Sequence, residues 1–418
     1  MRLIRLCLLV GSSLIVPLSA SAAYSNYNNV LLGERAAGLS GAYTALAADP
    51  AATPFYNPAT SILQEGSHFS GAVSVYNKYE TNLGQTGDFA GAPTRLNRGY
   101  FRSIPASSGT ILNFKEYAVG LSILVPDYDF YNGQIQGSAT TVSSLNFIDE
   151  SLWVGGTFSR RLTPVDSAGI SLYYTARNMS RSVNDRITTS ATTATLTTEQ
   201  KDLTSNNIVA ILGYHRRLDD HWSVGVSYRP PSVQIAGEGS YYKSTTVTTP
   251  YSDTEINQSS VKAETHIPQK LAVGIAREEI GVRTFSLDVQ LYEATDYKDF
   301  PDFNAGTDDV HYHRTANIAA GYEQYLWPRV SVRGGVFTNL SASESPDANS
   351  GYRQLDHINL YGWSANVNLR VHEQTSFTFG GYYSGGSGLS TQLIGNQIQV
   401  IPKTQQIFTM LVGTGFHF

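Results

Sequence analysis

Cysteine is nearly absent. The 418 residues hold one, Cys7, and it sits inside the first apolar run of the chain. Its context, Ile4-Arg5-Leu6-Cys7, lacks the small residues that precede a lipidated cysteine, so it is read as apolar filler. Past that run there is no thiol, which excludes disulfides and thiolate metal sites. Long apolar runs are also missing. After residue 22 no stretch approaches the roughly 18 apolar residues of a membrane helix. Basic charge is scarce too: the formal net charge is −5, a poor match to nucleic acid. There is no Gly-rich phosphate loop, and Gly38-Leu39-Ser40-Gly41 is not the Gly-x-Ser-x-Gly of a nucleophile elbow. No nucleophile, base and orienter arrangement is visible, so no catalytic residue, cofactor or enzyme activity is expected.

What is present begins with an export signal. Arg2 and Arg5 form a basic n-region, Leu6 to Val16 an apolar core, and Ala20-Ser21-Ala22 a small-residue cleavage site. Residues 1–22 are therefore expected to be removed, taking the net charge to about −7 by loss of two arginines.

The rest of the chain alternates with period two. Phe285, Leu287, Val289 and Leu291 oppose Ser286, Asp288 and Gln290; Tyr361, Trp363, Ala365, Val367, Leu369 and Val371 oppose Gly362, Ser364, Asn366, Asn368 and Arg370. Such alternation marks strands with one apolar face. A soluble sandwich, with that face turned to a core, would show it as well. The connections discriminate. Strands are expected near 67–80, 97–104, 110–125, 147–161, 167–181, 203–218, 221–236, 258–277, 282–297, 312–325, 329–341, 355–371, 374–386 and 404–418. Short turns, at Pro105-Ala106, Pro164-Val165, Asp219-Asp220, Glu279-Ile280, Trp327-Pro328 and His372-Glu373, alternate with long polar loops. Up-and-down outer-membrane barrels have short periplasmic turns and long outer loops. The expected fold is all-β: a transmembrane antiparallel barrel of about 14 strands over residues 66–418, preceded by a small helical hatch over 23–65, in a Gram-negative outer membrane.

Tyrosines near strand ends (Tyr117, Tyr128, Tyr174, Tyr214, Tyr228, Tyr292, Tyr322, Tyr361 and Tyr383) fit an interfacial girdle. The last strand carries Phe408, Met410, Val412, Phe416 and Phe418 on one face. That pattern looks like the C-terminal signal, here Phe416 and Phe418, read by the outer-membrane barrel assembly machinery.

Residues 31–59 read LLGERAAGLSGAYTALAADPAATPFYNPA. A Gly/Ala-rich segment with helix-like pieces, ending in Asn57-Pro58-Ala59 and lying between signal and barrel, resembles the plug of the long-chain fatty acid transporter (FadL-type) family, which includes aromatic-hydrocarbon channels. A weaker echo is His266-Ile267-Pro268-Gln269-Lys270-Leu271-Ala272-Val273-Gly274, and Thr60 departs from the Gly that many members place after Asn-Pro-Ala. The resemblance implies passive uptake of a hydrophobic small molecule, in contact with outer-membrane lipid and lipopolysaccharide, and lateral exit through the barrel wall. It implies a hatch role for Asn57, Pro58 and Ala59. Gly33, Gly38 and Gly41 would give the hatch tight backbone packing. The family's lateral opening belongs to the third strand, here the neighbourhood of Gly120. A carboxylate headgroup would want a cation, and Arg333 and Arg370 on polar strand faces are candidates; the competing reading pairs lumenal arginines with Asp288 or Glu323. His311-x-His313 is read as a loop pair, not a metal site. The rival to transport is an outer-membrane anchor or adhesin of the same architecture.

Overall fold

The period-two segments form strands because β-branched and aromatic residues alternate with small polar ones, and the strands close on themselves. The structure, a computed structural model, describes residues 25–64, 66–82, 102–136, 138–303, 309–347, 349–350, 353–394 and 397–418. The signal segment 1–22, and the start of the expected second strand, lie outside the described residues.

Strands β1 (His68–Asn82), β2 (Arg102–Asn113), β3 (Tyr117–Gln136), β4 (Thr141–Arg161), β5 (Asp166–Thr188), β6 (Ala194–Arg217) and β7 (Trp222–Arg229) run up and down in order. β8 (Val233–Thr248) and β9 (Tyr251–Lys262) make a hairpin above β7, and β10 (Lys270–Glu279) and β11 (Arg283–Tyr292) resume the wall. A small separate hairpin, β12 (Thr295–Lys298) and β13 (Asp309–Tyr312), precedes β14 (Thr315–Trp327) and β15 (Val330–Asn339). β16 (His357–Ile358), β17 (Leu360–His372), β18 (Thr375–Ile394) and β19 (Gln397–His417) complete the circuit. β19 pairs antiparallel with β1 from His68↔His417 to Asn82↔Lys403, closing a 14-stranded antiparallel barrel in which β8, β9 and β16 are extensions of wall strands.

Burial decides between barrel and sandwich. Along β11 the apolar Phe285, Leu287, Val289 and Leu291 are exposed, while Thr284, Ser286, Asp288 and Gln290 are buried. Val273, Met410 and Val412 are likewise exposed, with the smaller Ala272, Thr409 and the hatch-facing Leu411 buried between or beside them. An apolar outer face with a polar interior suits a protein whose solvent is lipid. Among the described residues no helix is long and apolar enough to cross a membrane; the chain crosses with strands. Tyr117, Tyr174, Tyr214, Tyr322 and Tyr361 lie on the outer face as a girdle requires, whereas Tyr128 and Tyr292 are buried.

Two expectations change. Pro105-Ala106 is not a turn but a register shift inside β2, where Ser107 pairs with Ala72 and Ile104 with Ser74. The turn lies at 114–116, where the Phe114 amide donates to the Tyr117 carbonyl. The loops expected at 126–146, 182–202, 237–257 and 387–403 are largely strand: β3 to β9, and β18 with β19, run on as hairpins above the apolar band. β9 is exposed at almost every position and carries Ser, Asp, Thr, Glu, Asn and Gln.

A cation on the lipid face at mid-membrane depth costs roughly 2–4 kcal/mol. Val289→Arg is therefore expected to lower the stability of the assembled barrel by about that amount, and Gln258→Arg on the upper hairpin to leave it within about 0.5 kcal/mol. Urea titration of the heat-modifiable band on gels in which folded and unfolded barrel separate checks both.

Candidate functional site

Residues 25–64 run inside the barrel, and nearly all of 29–62 is buried. Two one-turn helices, α1 (Arg35–Gly38) and α2 (Thr53–Tyr56), and a 3-10 turn over Pro58–Leu63 are linked by turns. So short a fold cannot hold itself together, and side chains do it instead. Asp49 accepts from the amides of Arg35 at 2.9 Å and Ala52 at 3.3 Å, and from the Ser70 hydroxyl of the wall at 3.2 Å. Asn57 caps the 3-10 turn by accepting from the Ala59 amide at 3.1 Å; its Nδ2 donates to the Thr44 carbonyl at 2.7 Å and to the Tyr214 carbonyl of β6 at 3.0 Å. One amide thus ties the turn, the hatch interior and the wall together. Pro58 supplies the fixed φ at the first turn position, and the Ala59 carbonyl accepts from Ser167 at 2.8 Å.

The hatch is bound to the barrel by charge as well. Arg35 donates to Glu323 at 2.9 Å and to Glu278 at 2.7 Å, and Arg333 donates to the other Glu323 oxygen at 2.7 Å. Asp288 accepts from the amides of Tyr43 at 2.9 Å and Thr44 at 2.8 Å and from the Thr44 hydroxyl at 2.6 Å. Glu34, in the hatch, is buried with one carboxyl oxygen lacking a partner; burial, reinforced by the nearby Asp49 charge, pushes its pKa up to about 7.

Gly33 and Gly41 hold φ of +78° and +79°, the left-handed region where a side chain is strained. Gly38 has ordinary φ but lies against Asn366, where a Cβ would collide. The wall answers with glycines of its own: a Cβ on Gly169, Gly213 or Gly225 would run into Pro58, Asn57 or the Thr44 carbonyl. These strand glycines let backbone approach backbone, and the period-two reading gave no reason to single them out.

Above the hatch lies a narrow cavity of about 60 Å³. Its apolar wall is Phe55 and Tyr56 of α2 with Trp153, Tyr292 and Ile267. Phe55 meets Trp153 edge to face at 5.7 Å, and Tyr27 stacks on Tyr292 at 4.4 Å. Two cations are buried in the same wall. Arg229, 7% exposed, donates to the Pro268 carbonyl at 3.1 Å and stands 5.9 Å from the Trp153 ring centre. Lys270, 8% exposed, lies 5.6 Å from the Phe55 ring centre and 5.4 Å from that of Tyr292. Neither forms an ion pair with a described residue. Arg177, also on the wall, is paired with Asp149 at 2.5 Å. Asp127 accepts from Ser151 at 2.9 Å, and the hydroxyls of Tyr27 and Tyr312 are buried here without partners among the described residues.

The expected headgroup cations are elsewhere. Arg333 is held by Glu323 beneath the hatch, the pairing that the competing reading named, and Arg370 is exposed at the short-turn end; neither borders the cavity. Asp288 binds hatch backbone rather than an arginine. Gly120 sits in unbroken pairing, opposite Ile111 on one side and Thr157 on the other. The nearest irregularity in that strand is five residues on, where the β3–β4 register shifts across Val125-Pro126. Phe416 packs on Phe69, ring centres 6.3 Å apart, and the Phe418 amide and carbonyl both bond Ser67, joining the two ends of the barrel. His311 bonds Asp296 at 2.9 Å, and no group of three metal-binding side chains occurs among the described residues.

A closed transmembrane barrel plugged from within by its own N-terminal segment is the architecture of hatch-sealed outer-membrane channels. More particularly, the fold is that of FadL-type barrels. It is similar to a Pseudomonas aeruginosa FadL homologue, with a TM-score of 0.67 and 13% identity over 94% of this chain and 100% of the other. It is similar also to the P. putida toluene transporter TodX, with a TM-score of 0.64 and 13% identity over 95% and 99%. For the Ralstonia pickettii toluene transporter TbuX the values are 0.59 and 15% over 94% and 99%. No protein-family model and no curated sequence matches the chain.

Removing one partner of a buried ion pair costs about 3–5 kcal/mol. Arg35→Met removes the buried bond to Glu323, which keeps only Arg333, and the bond to the partly exposed Glu278, so the hatch is expected to loosen while the barrel stays assembled. Single-channel recording in planar bilayers should show frequent open events where the parent is silent.

Proposed function

We propose that this barrel takes up long-chain carboxylates, or hydrophobic molecules of similar shape with an anionic head, across the outer membrane. The observation that carries the reading is the pair Arg229 and Lys270, two basic side chains buried in an aromatic cavity with no carboxylate at ion-pair distance among the described residues, Asp127 and Asp288 acting on them only from further off. Burying an unpaired charge costs several kcal/mol, and a ligand carboxylate between the two would offset that cost. The chain of the ligand gains about 0.8 kcal/mol per buried methylene against Phe55, Tyr56 and Trp153. The two buried tyrosine hydroxyls offer donors to the same head.

The toluene transporters of this fold favour a second reading, a neutral aromatic ligand on the rings of Phe55, Trp153 and Tyr292. The two readings separate by charge. The hatch, fixed by Asn57-Pro58-Ala59 and by Arg35, blocks the direct path to the periplasm, so the ligand leaves sideways. The third strand offers a way: Pro126 has no amide to donate, the ladder shifts there, and Pro126 and Asp127 border the cavity.

Purified protein in detergent is expected to bind a long-chain fatty acid more tightly than its methyl ester. A hydrogen bond to a charged group contributes about 1.5–3 kcal/mol, so Arg229→Met and Lys270→Met should each weaken fatty-acid binding by roughly ten-fold or more and leave the ester unchanged. Equal affinity for acid, ester and toluene in parent and variants would support the neutral-ligand reading. No binding of any of them by an assembled barrel would favour an anchor or adhesin.

A further inference from the structure

The cavity touches the wall in a second place, four and five strands round the barrel from the third. Strand seven of the barrel is broken between β7 and β8 at Pro230-Pro231-Ser232, and strand eight between β9 and β10 over residues 263–269, which contain Pro268. The two breaks face each other. Below them β7 and β10 pair without interruption from Arg229↔Lys270 to Trp222↔Arg277; above them β8 and β9 pair from Glu238↔Lys262. Between these ladders three prolines lack the amide that a ladder needs.

Two backbone bonds survive across the breaks, from the Ser232 amide to the Ile267 carbonyl and from the Ala263 amide to the Gly237 carbonyl at 3.2 Å, and side chains supply the rest. Gln234 stands in for a peptide unit, its Nε2 donating to the Ala263 carbonyl at 2.6 Å and its Oε1 accepting from the Thr265 amide at 3.2 Å. The Ser232 hydroxyl accepts from the Ile267 amide at 2.9 Å, and the Ser232 amide donates to the Ile267 carbonyl at 3.1 Å. Arg229 clasps the Pro268 carbonyl. A ladder releases only when a strand moves; here the side-chain bonds release when a side chain turns, which leaves two backbone bonds where an unbroken ladder would have more.

The break lies within the apolar band. Val233 and Ile235 just above it are 66% and 58% exposed, and Leu271 and Val273 just below it face outward too. In lipid, irregular backbone is tolerated where it lines a cavity, and this one does: Thr265, His266, Ile267 and Pro268 all border the space that holds Arg229 and Lys270. Arg229 therefore belongs to both devices. A carboxylate that drew its guanidinium away from the Pro268 carbonyl would undo one of the bonds closing the wall.

We propose that the facing breaks at 230–232 and 263–269 form a lateral gate between the seventh and eighth barrel strands, opened when an anionic ligand engages Arg229. The gate rests on the uptake reading above, and it is a passage separate from the third-strand irregularity.

The mature chain has no cysteine, so pairs can be placed at will. Ser232→Cys with Ile267→Cys bridges the break; Ser227→Cys with Ala272→Cys, opposite one another in the intact β7–β10 ladder, bridges the same strands below it. Uptake of radiolabelled oleate is measured in cells lacking their own transporter, after oxidation and again after reduction, with crosslinking confirmed by mass and assembly by heat-modifiable mobility. The expected result is a loss of at least five-fold in the oxidised 232/267 variant, restored by reductant, with the 227/272 pair transporting equally in both states. Undiminished uptake by the crosslinked 232/267 variant overturns the gate, as does an equal loss with the lower pair. Absence of oleate uptake by the unmodified parent overturns the transport reading instead, which keeps the two failures apart.

Discussion

In hydrocarbon an unpaired peptide group costs several kcal/mol, and that constraint governs this molecule. It demands a sheet without edges, met when β19 pairs with β1 along fifteen positions. A closed sheet in lipid must turn its apolar face outward, which leaves Ser, Thr, Asn, Asp, Arg and Glu side chains pointing into the lumen. A lumen of fourteen strands is too wide for wall side chains alone to fill. Residues 25–64 fill it, satisfying wall groups such as Asp288, Glu323, Ser167 and Ser364 with hatch backbone and hatch side chains.

The lumen is therefore divided by how its charges are settled. Beneath and around the hatch Arg35, Arg333, Glu278 and Glu323 form one network, a lock between plug and wall. In the upper lumen Arg181 pairs with Glu199, Lys201 with Asp299, and Arg353 with Asp185. Between these two zones Arg229 and Lys270 are buried against aromatic rings without such a partner. That contrast is what supports the proposed binding site in the middle zone, where Arg177 has Asp149 but Arg229 and Lys270 have no acid at ion-pair distance.

The sequence disclosed the lower barrel because each strand there has one face in lipid, and a two-sided environment writes a period of two. Above the apolar band both faces of β9 meet water, the period disappears, and strand reads as loop. Pro105 looked like a turn because proline ends ladders; inside β2 it produces a register shift instead. The hatch was legible from Asn57-Pro58-Ala59 and its glycines. The glycines opposite it were not, since Gly169 and Gly213 serve a neighbour far away in sequence. Alternation told which arginines face inward but not at what height, so Arg333 and Arg370 stood out while Arg229 and Lys270 did not. A signal for the latter existed: each adjoins a proline-bearing break, Pro230 and Pro268, in an otherwise strand-like run.

The most direct test of the account is uptake of a labelled long-chain fatty acid by cells that lack their own transporter, with and without this protein, beside a variant in which Asn57-Pro58-Ala59 is replaced. The account predicts uptake that depends on the protein and changes when the hatch motif is altered, with the barrel assembled in both cases. An assembled barrel that carries neither the fatty acid nor an aromatic hydrocarbon would contradict it.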